Sequence, residues 1–143
     1  MEKNYEMLKL ENQLCFPLYA CSREIVKKYY PHLQKIGLTY TQYIVMMVMW
    51  ADRKISVKQL GERLYLDSGT LTPVLKSLEA KGSVSRARSA EDERVLIVEI
   101  TEAGEQLKEP AAEVPPKIAC CVSLTPEEAA ELHRLLYKVL GEM

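Results

Sequence analysis

The fold is decided by residues 56–100, which read SVKQLGERLYLDSG, TLTPVLKSLEAKG and SVSRARSAEDERVLIVEI in chain order. Ser56 begins a short amphipathic helix with an S-x-x-Q capping pattern. A tight polar turn leads to a second helix, which Gly82 ends. Residues 83–88 and 95–100 alternate or are rich in β-branched side chains, and they enclose a polar loop. This stretch therefore predicts a helix-turn-helix followed by a two-stranded hairpin.

This order of elements is the plan of a winged helix-turn-helix. The second helix of that motif enters the major groove of DNA, while the hairpin, or wing, reaches the adjacent minor groove or backbone. Side-chain hydroxyls and cations, which can bind phosphates and base edges, occur at the start of the second helix and in the hairpin. We predict a DNA-binding surface that consists of Ser68, Thr70, Thr72, Pro73, Lys76, Arg86, Arg88, Asp92 and Arg94. The alternative is that the hydroxyls only cap the helix and the arginines only solvate the hairpin.

The charge distribution agrees with this surface, although the net charge of −1 by itself argues against nucleic acid. Residues 53–94 carry a net charge of +3, whereas residues 95–143 carry −5. A basic middle segment beside an acidic tail is compatible with a DNA-facing module carried on a different scaffold.

Helices are predicted on both sides of the module. Apolar spacing indicates a long amphipathic helix over residues 6–30, interrupted by Pro17, and a buried helix over residues 41–50. After the hairpin, a fifth helix begins near residue 101 and fades through a proline-rich stretch, and a last helix runs over about residues 125–140.

The predicted fold class is mainly α with a small β-hairpin wing. We expect one domain over residues 1–143, with a DNA-binding part at about 38–101 and dimerisation helices at about 5–31 and 102–141. A homodimer would place two recognition helices about one turn of DNA apart, on a pseudo-palindromic operator. The alternative is that the outer helices pack back on their own domain.

Composition excludes several classes of protein. The 143 residues are 48% hydrophobic and 27% charged, which is typical of a globular domain and not of a disordered or collagen-like chain. The sequence lacks an apolar run of the roughly 18–20 residues that a membrane span needs, and its first ten residues are charged. We expect a cytosolic protein without a membrane partner.

Four cysteines, Cys15, Cys21, Cys120 and Cys121, fall in two clusters. Their spacing contains no C-x-x-C, and only two histidines are available to complete a zinc site, so no metal or cofactor is predicted. From the residues alone, Cys15 could be an inert thiol on a helix face, and Cys120 and Cys121 could be two small buried side chains.

Three strings resemble one known family. These are Asp92-Glu93-Arg94 in the wing, Gln13-Leu14-Cys15-Phe16 near the start, and the run from Tyr65 to Pro73. Together they resemble the MarR family of dimeric regulators and, within it, the organic hydroperoxide resistance regulators. The resemblance extends over residues 8 to about 116. It implies a non-enzymatic repressor that releases operator DNA when an organic hydroperoxide oxidises its N-terminal cysteine.

The resemblance also implies roles for individual residues. Cys15 matches the sensing cysteine, Tyr29 and Tyr40 match tyrosines that hydrogen-bond it from the partner subunit, and Tyr19 matches a further nearby aromatic residue. Phenolic hydroxyls can donate hydrogen bonds to a thiolate. Cys120 matches a resolving cysteine that forms a reversible intersubunit disulfide, with Cys121 as the alternative. Cys21 is expected to pack within the fold.

Three other functions stay open at this point. A MarR-type global stress or virulence regulator would respond to broader oxidants or to a small ligand. A thiol peroxidase is disfavoured because the chain lacks a thioredoxin-like βαβ pattern. A metal or metalloid sensor would use Cys120 and Cys121 as soft ligands.

Overall fold

The computed structural model describes residues 3–141, and this part of the chain contains eight α-helices and three β-strands. Two single 3-10 turns, Glu6–Leu8 and Leu10–Asn12, precede them. The helices are α1 (Cys15–Gln34), α2 (Tyr40–Asp52), α3 (Val57–Leu64), α4 (Ser68–Ala80), α5 (Glu102–Gln106), α6 (Lys108–Ala111), α7 (Val114–Ala119) and α8 (Pro126–Gly141). The strands are β1 (Lys54–Ser56), β2 (Val84–Arg88) and β3 (Leu96–Ile100). This order confirms the predicted, mainly helical winged helix-turn-helix.

Polar caps fix where the central helices begin. Thr39, Ser56 and Asp67 precede α2, α3 and α4, and each side-chain oxygen accepts a hydrogen bond from the backbone amide three residues further on. Such caps satisfy amides that the first turn of a helix leaves without partners. Gly82 adopts a φ of 80° just after α4, a conformation that favours glycine. The caps therefore place α3 and α4 where the sequence predicts them.

The hydrophobic core lies where α2, α3 and α4 meet the sheet. Leu60, Leu75 and Leu78 from the helix-turn-helix are completely buried against Met46 and Met49 of α2. Burial of such side chains contributes roughly 1.5–3 kcal/mol each. The core therefore holds α4 against α2, with the opposite face of α4 outward.

The wing belongs to a three-stranded antiparallel sheet of order β1-β3-β2. The hairpin of β2 and β3 confirms the prediction, but β1 was not predicted. It comprises only Lys54–Ser56 and pairs with β3 in the register Lys54↔Glu99. Three residues are too few to show the alternation that marks a strand in a sequence. The additional strand attaches the base of the wing to the segment between α2 and α3.

The predicted long helix over residues 6–30 is wrong at its start, because α1 begins at Cys15. Pro17 therefore lies in the first turn, where its missing amide costs nothing, and does not interrupt the helix. Side-chain amides of Asn12 and Gln13 donate to the carbonyls of Glu6 and Met7 at 2.8 and 2.6 Å. These bonds compete with helical ones, so the preceding residues form 3-10 turns.

The end of α1 also differs from the prediction, since the helix does not end at residue 30 but continues through Pro31 to Gln34. The ring of Pro31 is exposed, and Leu33, two residues further on, is buried in the core. The core thus holds the last turn in place despite the hydrogen bond that proline removes. Gly37, with a φ of 70°, then begins the turn to α2.

The C-terminal part consists of short helices followed by one long helix. The predicted fifth helix divides into α5, α6 and α7, and α8 extends one residue beyond the predicted end. None of the residues of α8 is buried. Within residues 3–141, no helix is long and apolar enough to cross a bilayer.

Candidate DNA-binding surface and thiol site

The outer face of α4 carries the polar residues predicted to contact DNA. Leu71, Leu75 and Leu78, with the partly buried Val74, form the inner face, and the exposed side chains of α4 project away from the core. A hydrogen bond from the backbone amide of Thr70 lowers the pKa of the Asp67 cap, which remains a carboxylate at neutral pH. The predicted residues on this outer face are Ser68, Thr70, Pro73 and Lys76, which are exposed, and Thr72, which is half-buried.

Pro73 lies inside α4. The helix starts at Ser68, and Pro73 is its sixth residue. Because proline has no amide hydrogen, it cannot donate to the carbonyl of Gly69. Gly69 and Pro73 are both exposed. The outer face of α4 therefore also offers a backbone acceptor.

The tip of the wing holds a fixed ion pair. The guanidinium of Arg94 donates to both carboxylate oxygens of Asp92 at 3.1 Å, and the Arg94 amide donates at 3.0 Å. These bonds, the side-chain ones foremost, lower the pKa of Asp92. The Arg94 side chain is nevertheless 90% exposed. Asp92 thus orients a cation that remains available to a phosphate or a groove.

Arg86 has a different environment from the other predicted wing residues. Its side chain is only 16% exposed, and its guanidinium donates to Glu79 of α4 at 3.2 Å. The backbone amide of Arg86 donates to the second Glu79 oxygen at 2.9 Å. Arg86 therefore attaches β2 to the last turn of α4, whereas Arg88 is exposed. The sequence prediction that Arg86 contacts DNA is untested, and its attachment to Glu79 favours a structural role instead.

Cys15 is the first residue of α1 and is exposed. At this position it lies beside backbone amides that have no helical acceptor, at the positive end of the helix dipole. Leu14 and Phe16 on either side are 77% and 42% exposed. The thiol is thus accessible and lies among apolar side chains.

Tyr29 and Tyr40 form one cluster with a third tyrosine, Tyr43. The ring centroids of Tyr29 and Tyr40 are 5.0 Å apart, and Tyr43 lies 5.8 and 6.2 Å from them. Burial raises the pKa of all three phenols. They therefore remain neutral hydroxyl groups, able to donate hydrogen bonds, at physiological pH.

The chain does not bring its own Cys15 to these tyrosines. Tyr29 follows Cys15 by fourteen residues on one helix, which separates them by about 21 Å along the axis. Tyr19 is the only predicted supporting residue near Cys15 in sequence, one turn further along α1. Its hydroxyl accepts a hydrogen bond from Arg23 at 3.0 Å, and the Arg23 guanidinium lies 5.5 Å from its ring centroid.

Comparison with known proteins identifies the family. The family model for transcriptional regulator SarA/Rot matches residues 27–110. The organic hydroperoxide resistance transcriptional regulator of Bacillus subtilis (strain 168) is 46% identical over 140 residues, which are 98% of this chain and 95% of that protein. The chain belongs to the MarR family of winged-helix transcriptional regulators. The HTH-type transcriptional regulator SarZ of Staphylococcus aureus (strain USA300) is 47% identical over 123 residues, covering 86% of this chain and 83% of SarZ.

AbfR of Staphylococcus epidermidis is a similar protein of known structure. The TM-score is 0.82 with reduced AbfR bound to DNA, at 35% identity over 96% of this chain and 94% of that one. Overoxidised AbfR bound to DNA gives 0.79 at 36% identity over 96% of both chains. Disulfide-formed AbfR gives 0.67 at 37% identity over 94% and 95%. The backbone therefore agrees better with both DNA-bound forms than with the disulfide form.

The other thiols of this MarR-family chain are also exposed. Cys120 and Cys121 directly follow α7, and the Cys121 thiol donates to the carbonyl of Lys117 at 3.5 Å. Cys21 is exposed on α1, so the expectation that it packs within the fold is wrong for the isolated chain. Among residues 3–141, no group of three or more His, Cys, Asp or Glu side chains could hold a metal ion.

The prediction missed three residues of the candidate sites. Tyr43 lies one turn after Tyr40 on α2, and this spacing could have revealed it. Glu79 binds Arg86 across a loop. Gln42 is buried and bonds Ser77, which is 35 residues away in sequence. The Thr39-x-x-Gln42 spacing is a capping box that could have marked Gln42 as the third residue of α2. The contacts of Gln42 with Ser77 and of Glu79 with Arg86 leave no such local signal and required the structure.

Proposed function

We propose that this MarR-family chain is a homodimeric repressor that leaves a pseudo-palindromic operator when an organic hydroperoxide oxidises Cys15. Residues 38–101 would bind DNA, and residues 5–31 and 102–141 would form the dimer. The observation that carries the proposal is an exposed thiol at the start of α1, which its own chain holds apart from the half-buried pair of Tyr29 on α1 and Tyr40 on α2.

Exposed apolar faces support the dimer. An isolated helix of sixteen residues is marginally stable in water, yet α8 buries no side chain against its own chain. Leu132, Leu135 and Leu136 on α8 are 37–44% exposed, and Leu8 and Leu14 near the N-terminus exceed 70%. A second copy supplies the apolar surface that both segments need.

The dimer would bring the thiol to the tyrosines. A groove of about 710 Å³ opens beside Tyr40 and is lined largely by apolar side chains, among them Val26, Leu33 and Leu38. The partner's Cys15, with its exposed apolar neighbours, fits this environment chemically. The hydroxyls of Tyr29 and Tyr40 would then donate hydrogen bonds to the thiolate. An apolar groove also favours an alkyl or aryl hydroperoxide over hydrogen peroxide.

The chemistry requires two balanced steps. The Cys15 thiolate attacks the terminal oxygen of the hydroperoxide, the O–O bond breaks, and the products after proton transfer are a sulfenic acid and an alcohol. The thiol of Cys120 in the other subunit then attacks the sulfenic sulfur, which forms a disulfide and releases water. Cys121 is the alternative resolving thiol. A dithiol reductant restores both cysteines.

The disulfide step would disturb the tyrosine contacts. A disulfide would pull the start of one α1 toward the end of α7 in the other subunit, away from the phenols. The lower TM-score with disulfide-formed AbfR than with its DNA-bound forms supports a change of arrangement at this step. The two recognition helices would lose the spacing that both half-sites require.

The test is operator binding measured by fluorescence polarisation with the protein's own upstream DNA. We expect cumene hydroperoxide to abolish binding, dithiothreitol to restore it, and Cys15→Ser to remain bound. Cys21→Ser is the matched control, because Cys21 is an exposed thiol on the same helix. Binding that ignores the peroxide would refute the redox switch, and no binding to any upstream DNA would refute the repressor.

The resolving residue is tested separately on a non-reducing gel. Cys120→Ser should abolish the peroxide-induced covalent dimer, and Cys121→Ser should keep it. The reverse pattern would assign the role to Cys121, and a dimer in both variants would exclude both residues.

A MarR-type global stress or virulence regulator is the second candidate, because the chain is as similar to the HTH-type transcriptional regulator SarZ, at 47% identity, as to the organic hydroperoxide resistance regulator, at 46%. It shares the fold and the DNA surface and differs in the oxidant. The same polarisation assay with hydrogen peroxide and with an organic disulfide separates the two, since release by all three oxidants supports the broader sensor.

A further inference from the structure

Gln42 is a buried polar residue at the start of α2. Its relative exposure is 5%. Among residues 3–141, Ser83 is the one other polar residue that is as deeply buried. Gln42 follows Tyr40, the first residue of α2, by two positions. Apolar side chains otherwise make up the buried core, so an amide here requires an explanation.

The side chain of Gln42 joins three elements. Its Oε1 accepts hydrogen bonds from the Thr39 amide at 3.1 Å and from Lys81 Nζ at 2.9 Å. Its Nε2 donates to Ser77 Oγ at 2.8 Å. Lys81 Nζ also donates to the carbonyl of Gly37 at 2.6 Å. The amide thus connects the turn before α2, the first turn of α2 and the end of α4.

These bonds resist sliding between the helices. An apolar contact changes little when two helices shift slightly, but a buried hydrogen bond is directional and costly to leave unmade. Both amide atoms of Gln42 are engaged, so the end of α4 must follow when the start of α2 moves. Because Glu79 in the same turn holds Arg86 of β2, the wing would follow as well.

The tyrosine cluster lies at the same end of α2. Tyr40 and Tyr43 flank Gln42 in sequence, and both contact Tyr29 through their rings. A change in what these tyrosines contact therefore acts on the helix turn from which Gln42 projects.

We propose that Gln42 is the positioning residue that couples the tyrosine cluster to the recognition helix. This inference rests on the proposed redox switch. When oxidation displaces Tyr40, Gln42 carries α4 with it through Ser77 and Lys81, and α4 leaves the orientation that fits the major groove. Without this connection, the tyrosines still respond to oxidation but α4 does not.

The test measures the operator Kd of reduced and of peroxide-treated protein. Gln42→Met keeps an unbranched, buried side chain without the hydrogen bonds, and Ser77→Ala removes one partner. Substitutions along a coupling path change the coupling between two sites by a factor of about 2 to 30 in Kd. We therefore expect the oxidised variants to bind more tightly than oxidised wild type by such a factor, with little change in the reduced Kd. The double variant should match the stronger single variant, because both remove one connection.

Trp50→Phe is the matched control. Trp50 Nε1 on the same helix donates to the carbonyl of Gly104 at 2.9 Å, away from α4, so this variant loses a comparable bond and should release DNA as wild type does. Ser77→Thr retains a hydroxyl and should restore release. Dimedone labelling of Cys15 should be equal in every variant, which separates coupling from reactivity.

Three outcomes would overturn the proposal. Wild-type release in both Gln42→Met and Ser77→Ala would refute the coupling and leave the redox switch intact. Weaker reduced binding with an unchanged oxidised Kd would indicate a merely structural role. Failure of wild type itself to respond to peroxide would refute the switch and the coupling together. If Gln42→Met does not fold, Ser77→Ala decides the matter alone.

Discussion

The exchange Arg86→Gln tests whether a basic residue of the wing serves the fold or the DNA. Arg86 has the charge expected of a phosphate contact, and the sequence assigned it that role. In the structure its guanidinium faces Glu79 on α4, and its backbone amide binds the same carboxylate. We predict that Arg86→Gln lowers stability and does not remove a phosphate contact.

The expected loss of stability follows from the environment of the pair. A hydrogen bond to a charged group contributes about 1.5–3 kcal/mol, whereas an exposed ion pair contributes about 0–1 kcal/mol. The Arg86 side chain is 16% exposed and the Glu79 side chain 41%, so solvent screens the pair in part. The backbone bond to Glu79 survives the substitution. We expect the free energy of unfolding to fall by about 1–2 kcal/mol.

Two measurements check this prediction. Urea unfolding at one fixed protein concentration gives the stability of the reduced protein. The salt dependence of operator binding reports phosphate contacts, because each one lost changes the slope of log K against log salt by about 0.9. Arg86→Gln should leave that slope unchanged.

Arg88→Gln is the matched control for Arg86→Gln. It makes the same chemical change on the same strand, at an exposed residue. Arg88→Gln should keep the free energy of unfolding within about 0.5 kcal/mol of wild type. It should reduce the slope of log K against log salt by about 0.9, the value for one lost phosphate contact. If instead Arg86→Gln reduces the slope and leaves the unfolding curve unchanged, Arg86 contacts DNA and the attachment to α4 is unimportant.

Two other substitutions and one deletion test the fold, the tyrosines and the dimer. Gly104→Ala would place its methyl against the Ser83 carbonyl, so urea unfolding should show a free energy of unfolding lower by about 1–3 kcal/mol or more. Gly69→Ala is the control and should fold normally, because its methyl finds ordinary contacts. Burial raises the pKa of Tyr40, so its contribution to stability should be constant below about pH 9 and be lost above about pH 10, and Tyr40→Phe should flatten the alkaline decline in pH-dependent unfolding. Deletion of residues 126–143 should convert the dimer to monomer in sedimentation velocity, and a dimer that persists would exclude α8 from the interface.

The elements of the winged module could be predicted because their signals are local. Caps such as Ser56, the stop at Gly82 and the alternation of the hairpin each act within a few residues. The prediction is wrong where pairing with a distant segment, or hydrogen bonds that compete with helical ones, determines the local structure. β1 exists only because β3 pairs with it, and the long N-terminal helix fails because Asn12 and Gln13 bind backbone carbonyls instead.

The residues of the candidate site also differ in whether the sequence could predict their surroundings. Exposed residues of α4 and the wing tip follow from helical and hairpin position, so Lys76 and Arg94 lie where the sequence places them. The environment of Arg86 depends on Glu79, and that of Gln42 on Ser77, across turns whose geometry a sequence does not specify. The proposed role of Cys15 depends on resemblance and on a second subunit, because the chain itself separates Cys15 from Tyr29.

Energetics favour a switch that uses both subunits. Moving a two-state equilibrium from 1:99 to 99:1 requires about 5.5 kcal/mol. A hydrogen bond to a charged group contributes about 1.5–3 kcal/mol, so two phenols at the proposed thiolate would supply about 3–6 kcal/mol. One site would reach the requirement only at the top of this range, whereas two such sites in a symmetric dimer would supply about 6–12 kcal/mol and exceed it. The proposed intersubunit disulfide would add a covalent constraint to this sum. Because Tyr40 and Gln42 share the first turn of α2, each site can deliver its part to its own recognition helix.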